Sequence, residues 1–131
     1  QSNLFEIIIL DSLSTDRTID IINSVKSDHH EVRVIREKDK GIYDAMNRGI
    51  ELAKGEWVYF MGSDDKLHEK TVLAKLEKFL ADGYDLIYGD VNWVPENIIE
   101  SGEWNHRQLL QANINHQRIF YRRSLFELYG G

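Results

Sequence analysis

The sequence predicts a single α/β domain, a mostly parallel sheet flanked by helices. Three observations carry that prediction. Across residues 1–90, β-branched or aromatic runs alternate with stretches whose apolar residues recur at helical spacing. The order reads β-α-β-α-β-α-β, the signature of strands joined by helical crossovers. A chain of 131 residues is also long enough for one core and too short for two.

The elements follow in order. "EIIIL" at 6–10 reads as a strand buried on both faces, ending at Asp11. "DSLSTDRT" supplies turn and capping residues, after which Ile19, Ile22 and Val25 predict a helix over 16–27. "EVRVIRE" alternates as a second strand and "KDKG" breaks it. Residues 41–53, "GIYDAMNRGIELA", place Ile42, Ala45, Met46, Gly49, Ile50 and Ala53 on one helical stripe that Lys54-Gly55 stops. A third strand covers 57–61. Val72, Leu73, Leu76, Phe79 and Leu80 mark the next amphipathic helix, closed by Asp82-Gly83. "DLIYGDVNWV" is a fourth strand, broken by Pro95, the only proline. Beyond it Ile98-Ile99 suggest a short strand, "NHRQLLQAN" a short helix, "QRIFYRR" a strand and "SLFELYG" a helix start.

Composition narrows the function classes. A net charge of −6 argues against nucleic acid, whose phosphates need lysine and arginine partners. It leaves room for a nucleotide whose phosphates a divalent cation neutralises. Cysteine is absent, so neither disulfides nor thiolate metal sites are available, which suits a reducing, cytoplasmic setting. No apolar run approaches the roughly 20 residues of a membrane span.

Three predicted strands end in acids: Asp11 after the first, Asp64-Asp65 after the third and Asp90 after the fourth. Open α/β sheets bind ligands beyond the carboxyl ends of their strands, so these carboxylates are expected on one rim. Like charges gathered there repel unless a cation sits among them. Oxygen ligands without sulfur or a histidine cluster suit Mg²⁺ or Mn²⁺, with Asp64 and Asp65 as the metal candidates. A plainer account stands beside this one. Ser63 or Asp65 also suits the cap of the helix beginning near Glu69, and Asp11 suits the turn after its strand.

The blocks "EIIILDSLSTDRTIDII", "KDKGIYDAMNRGIELAKGEWVYFMGSDDKL", "DLIYGDV" and "NHQRIFYRRSLFELYGG" resemble, in that order, the family 2 glycosyltransferases. The resemblance covers most of the chain. It implies the Rossmann-like GT-A fold and inverting, metal-dependent transfer of a sugar from a nucleotide diphosphate donor, usually UDP. The acceptor hydroxyl would belong to a carbohydrate or lipid-linked molecule, in the cytoplasm or at the cytoplasmic face of a membrane. By position, Asp11 resembles the acid that contacts the nucleoside, with Ser14 and Asp16 in the following turn. Asp64 resembles the last acid of the metal motif and Asp65 the acid after it. Gly62 stands where the motif's first acid or an Asn is usual, a departure that removes an oxygen ligand.

"GIYDAMNRG" resembles a segment that runs beside the donor. A helix start there, preceded by Lys38 and Lys40, favours anions such as a diphosphate. Asp44 has two equal readings: contact with nucleoside or sugar, or an acid opposing the helix dipole. The family's first strand and helix have no counterpart before "EIIILD", so the chain is expected to be a fragment: residues 1–90 the nucleotide-sugar part, 91–131 the start of the acceptor side. The inverting base is expected beyond Gly131, with Asp90 a weak candidate within the chain, so transfer by these 131 residues alone is expected to be slight.

Other residues have plain readings too. The resemblance implies that the block holding His116 lies near a donor or acceptor sugar, and a structural histidine is the plain reading; His29-His30 and His68 lack metal spacing. Trp93 and Trp104 suit sugar stacking or ordinary packing. Tyr121 and Phe126 read as core, and Arg122-Arg123 as solvated. Two alternatives remain open: a receiver-type signalling domain, in which the order of acid pair and single acid would be reversed, and a non-catalytic nucleotide-binding module.

Overall fold

The computed structural model describes residues 5–25 and 31–131. The expected helix end at 26–27 and His29-His30 lie outside them. The described residues pack as two compact units, one up to Glu56 together with Tyr129–Gly131, the other Trp57–Leu128.

In the first unit, strand β1 (Glu6–Asp11) pairs in parallel with β2 (Glu31–Arg36), Leu10 opposite Ile35 and Asp11 opposite Arg36. The branched side chains of "EIIIL" favour the extended state. Helix α1 (Thr18–Val25) starts where the Asp16 carboxylate accepts the Thr18 backbone N–H at 2.9 Å and its hydroxyl at 2.5 Å. Helix α2 (Ile42–Leu52) follows β2. A Cβ on Gly49 would sit 3.5 Å from a Leu10 methyl, so α2 lies close against β1. Arg33 Nη1 reaches the Leu52 carbonyl at 2.8 Å, and Glu6 Oε1 accepts the Lys54 and Gly55 N–H groups at 2.6 and 3.1 Å. These bonds tie the end of α2 to the sheet. Ile7 is 38% exposed, so β1 is not covered on both faces by the described residues.

The second unit is built around its last strand. β3 (Trp57–Tyr59), β4 (Leu86–Tyr88) and β7 (Ile119–Arg122) form a three-stranded sheet in the order β3-β7-β4. β7 is antiparallel to both neighbours, with Tyr59 opposite Phe120 and Tyr88 opposite Ile119. β5 (Val91–Trp93) and β6 (Ile98–Glu100) make an antiparallel pair. The expectation of a mostly parallel sheet is therefore corrected: among the described residues only β1 and β2 pair in parallel. β3 and β4 do run the same way, but "RIFYR" inserts between them and takes their ladder bonds. The expected fourth strand also divides, at Gly89-Asp90, into β4 and β5.

Val58 and Ile119 are the buried apolar centre. Tyr59 stacks on Phe120 with ring centroids 4.3 Å apart, and Phe60, Tyr121 and Phe126 form a tilted cluster at 5.5 to 6.3 Å. Tyr121 and Phe126 are thus packed as expected; burial raises the Tyr121 pKa above the usual phenol value. Around the sheet, helix α3 (Val72–Leu80) follows β3, and α5 (Ser124–Tyr129) follows β7. Helix α4 (His106–Leu109) begins at a reciprocal cap: Asn105 Oδ1 accepts the Gln108 N–H and Gln108 Oε1 accepts the Asn105 N–H, each at 3.0 Å. Arg122 is not simply solvated. Its guanidinium lies 4.9 Å from the Trp57 ring centroid and its Nε donates to the Tyr84 carbonyl at 3.1 Å. No helix among the described residues is long and apolar enough to cross a membrane.

Candidate functional site

Because β3 and β4 share one direction, the chain leaves both at the same edge of the second unit's sheet, beside the start of β7. The turn carrying Asp64 and Asp65 emerges there, and so does Asp90. Between them stands a single 3₁₀ turn, His116–Arg118, which leads into β7. This turn grips both neighbouring loops.

On the β3 side, the amide nitrogen of Gln117 donates to Asp65 Oδ2. The same oxygen accepts the Gly62 N–H at 2.8 Å, and Asp65 N–H returns to the Gly62 carbonyl at 3.2 Å. Asp65 therefore closes its own turn and does not cap α3, whose first residue follows Thr71 with no side-chain cap. Gly62 lies close to three polar side-chain ends. A Cβ there would lie 2.7 Å from Asp65 Oδ2, 3.1 Å from Asp64 Oδ1 and 3.2 Å from Gln117 Nε2. A side chain at 62 would have to push the Asp65 carboxylate aside from its two donors. Asp64 is exposed and, among the described residues, its carboxylate makes no hydrogen bond or ion pair.

Gln117 is itself held. Its N–H donates to Asn115 Oδ1 at 3.0 Å, and its carbonyl accepts the Tyr59 hydroxyl at 2.8 Å. Burial first, and then the charge of Asp65, raise the Tyr59 pKa above the usual phenol value, so the hydroxyl remains a donor at neutral pH.

On the β4 side, Arg118 has a fully buried side chain that donates through Nε to the Gly89 carbonyl at 2.6 Å and through Nη1 to Glu100 Oε1 at 2.6 Å. Its guanidinium carbon lies 5.7 Å from the Tyr88 ring centroid. Asp90, next in the chain to Gly89, is exposed and without a hydrogen-bond partner among the described residues. His116 is half-buried. Trp93 is 43% exposed, with Nε1 3.4 Å from Glu100 Oε2, whereas the Trp104 backbone N–H donates to the Tyr88 hydroxyl at 2.9 Å.

The acid of the first unit is differently placed. Asp11 is buried at the end of β1, and both its oxygens lie 3.2 Å from the Ser14 N–H. Arg36 Nε donates to Asp11 Oδ2 at 3.0 Å and Nη2 to the Ser14 carbonyl at 3.1 Å. Ser14, through its side chain above all, holds the Asp11 carboxyl below the usual carboxylate range; burial opposes this, and the Ser14 backbone N–H and Arg36 reinforce it. The loop between carries Leu13 at φ 62°, a left-handed conformation that this bonding holds in place. Nearby, Asp39 N–H donates to Ser12 Oγ at 3.3 Å, and Asp39 Oδ1 accepts the Gly41 N–H at 3.0 Å. Asp44 Oδ2 accepts the Lys40 N–H at 3.0 Å, so it organises the entry to α2, and its side chain is exposed.

No group of three or more histidine, aspartate or glutamate side chains among the described residues is arranged to enclose a metal. The donors present suit a different division of ligands. Mg²⁺ commonly takes only one or two carboxylates and draws the rest from phosphate and water. Asp64, with Oδ1 of Asp65, fits that pattern. Sequence reasoning missed Gln117, Arg118 and Arg36. Only Arg36 left a trace, at the end of an alternating strand matching the one that ends in Asp11.

The family model for glycosyl transferase family 2 matches residues 1–129. A PGL/p-HBAD biosynthesis glycosyltransferase of Mycobacterium tuberculosis is 44% identical over 130 residues, covering 96% of this chain and 51% of that protein. The uncharacterized glycosyltransferase YibD of Escherichia coli is 31% identical over 88 residues, 67% of this chain and 26% of that protein. The glycosyltransferase SunS of Bacillus phage SPbeta is 45% identical over 74 residues, 56% of this chain and 17% of that protein. The chain spans about half the length of the mycobacterial relatives it matches. Matched along nearly its whole length, the chain belongs to glycosyl transferase family 2.

Proposed function

We propose that this protein transfers a sugar from a nucleoside diphosphate donor, UDP the first choice, to a hydroxyl of a carbohydrate or lipid-linked acceptor, with inversion and with Mg²⁺ or Mn²⁺. The observation that carries the reading is the exposed, unpaired Asp64 carboxylate on a sheet edge of a family 2 chain. Asp64 would hold the cation, with Oδ1 of Asp65 as second donor. A divalent ion bound there supplies charge neutralisation for the diphosphate leaving group.

The chain's own residues have assigned parts. Asp11, locked by Ser14 and Arg36, shapes the loop expected to meet the nucleoside, and Asp44 orders the Lys40-Gly41 entry to α2. An inverting transfer requires a carboxylate within reach of the acceptor hydroxyl. Asp90 is the candidate for it among the described residues. The mycobacterial relatives' name, with its reference to PGL/p-HBAD biosynthesis, supports a glycoconjugate as product. Family membership sets aside the receiver-type alternative.

Calorimetric titration with UDP in the presence of Mn²⁺ or of EDTA tests the proposal. Binding is expected with Mn²⁺ and weak with EDTA, and Asp64→Ala should abolish the difference while leaving the far-UV circular dichroism unchanged. Equal metal-dependent affinity in Asp64→Ala would refute the assignment. UDP binding without turnover of any UDP-sugar, even by hydrolysis, would favour the non-catalytic module.

A further inference from the structure

We propose that Gln117 is a positioning residue that sets the Asp64-Asp65 corner for a divalent cation, an inference that rests on the metal role of Asp64 given above. Asp65 Oδ2 receives two N–H donors, one from the Gly62 backbone at 2.8 Å and one from the Gln117 amide. Two donors on one oxygen fix the rotation of the carboxyl group and leave Oδ1 as its available ligand atom. The space around Gly62 shows how closely the parts meet. Asp65 Oδ2, Asp64 Oδ1 and Gln117 Nε2 all lie within 3.2 Å of where its Cβ would be.

The amide can perform this task because its own main chain is anchored on both sides. Asn115 Oδ1 holds the Gln117 N–H, and the Tyr59 hydroxyl holds the Gln117 carbonyl. Tyr59 belongs to the strand that leads into the acid turn, and its ring is stacked on Phe120 of β7. The acid corner is thus braced against the neighbouring strand, not left to a free loop. Partners that orient a ligand carboxylate without touching the metal are worth about 10- to 100-fold in metal affinity. Gln117 occupies that position.

Gln117→Met keeps length and removes the donor. Its Mn²⁺ affinity in saturating UDP, read by electron paramagnetic resonance, is expected to fall about tenfold. UDP affinity in EDTA should be unchanged, a separation that a merely structural role would not give. In the metal-free protein, hydrogen exchange of the Gly62 amide should accelerate, because Asp65 is no longer held. Tyr59→Phe, which keeps the ring stacking and removes only the hydroxyl, is the second variant and should show a smaller loss of Mn²⁺ affinity. Mn²⁺ affinity of Gln117→Met within twofold of the parent, while Asp64→Ala has lost it, would overturn the proposal and leave the metal reading standing. A parent protein indifferent to Mn²⁺ would overturn both. Faster Gly62 exchange in Gln117→Met would then locate the failure in the metal and not in the hydrogen bonds.

Discussion

Arg118 and Gly89 bond each other twice: Arg118 Nε donates to the Gly89 carbonyl at 2.6 Å, and the Gly89 N–H donates to the Arg118 carbonyl at 3.0 Å. One residue thereby supplies both the ladder bond and the side-chain bond that end β4. With Gln117 beside it holding Asp65, a single turn orders two loops of the sheet edge. Arg118→Ala leaves the Gly89 carbonyl and Glu100 without their partner and empties a buried volume. A loss of roughly 2–5 kcal/mol in urea denaturation is expected from the emptied volume and the unpaired Gly89 carbonyl, with little from Glu100, whose side chain is 37% exposed and stays hydrated. Arg118→Lys should recover only part of it, since an ammonium cannot reproduce the fork.

Gly62→Ala places a methyl carbon 2.7 Å from a carboxylate oxygen that two donors hold still. The atoms it meets are ends of side chains that can turn aside, so denaturation should show a loss at the low end of the overpacking range, about 1 kcal/mol. Metal-dependent UDP binding should weaken as well, because the oxygen that must move belongs to the acid pair.

Asp11 has its pKa depressed in the folded protein, so its ionised form stabilises the fold. That contribution is complete above the unfolded-state pKa, near the ordinary aspartate value of 3.8, and is lost as pH falls through the lower folded value. Asp11→Asn should therefore lower the melting temperature at pH 7 and have little effect once pH is below the folded pKa. A melting series between pH 7 and pH 2 checks both limits. Asp16, whose carboxyl is depressed by the Thr18 hydroxyl and then its N–H, should show the same sign.

Asp90→Asn bears on the inverting base. General base catalysis is typically worth about 10²- to 10⁴-fold. Asp90 is exposed and no hydrogen bond aims its carboxylate among the described residues, so turnover of a UDP-sugar by Asp90→Asn should fall by less than the lower figure. A larger fall would make Asp90 the base.

Element type was legible from periodicity: β1, α2, α3 and β7 all lie where their apolar spacing puts them. What periodicity cannot give is pairing. "RIFYR" announces a strand, yet nothing in its pattern says that it enters between two strands that are themselves far apart in the chain and both far before it. At the site, acids could be seen because carboxylates at strand ends are conspicuous. The residues that aim them could not. Gln117 is an ordinary amide in an ordinary loop until Tyr59, Asn115 and Asp65 surround it. Gly62 looked like a missing ligand, whereas the packing shows a position where a side chain would displace the Asp65 carboxylate.

The central place of β7 also bears on how the protein is made. β3 and β4 have their ladder partner in Ile119–Arg122, so during synthesis both must wait, unpaired, until that segment leaves the ribosome. Long-range pairing of this kind slows assembly. The nascent Trp57–Tyr59 and Leu86–Tyr88 segments therefore form the interval in which a chaperone has most to protect.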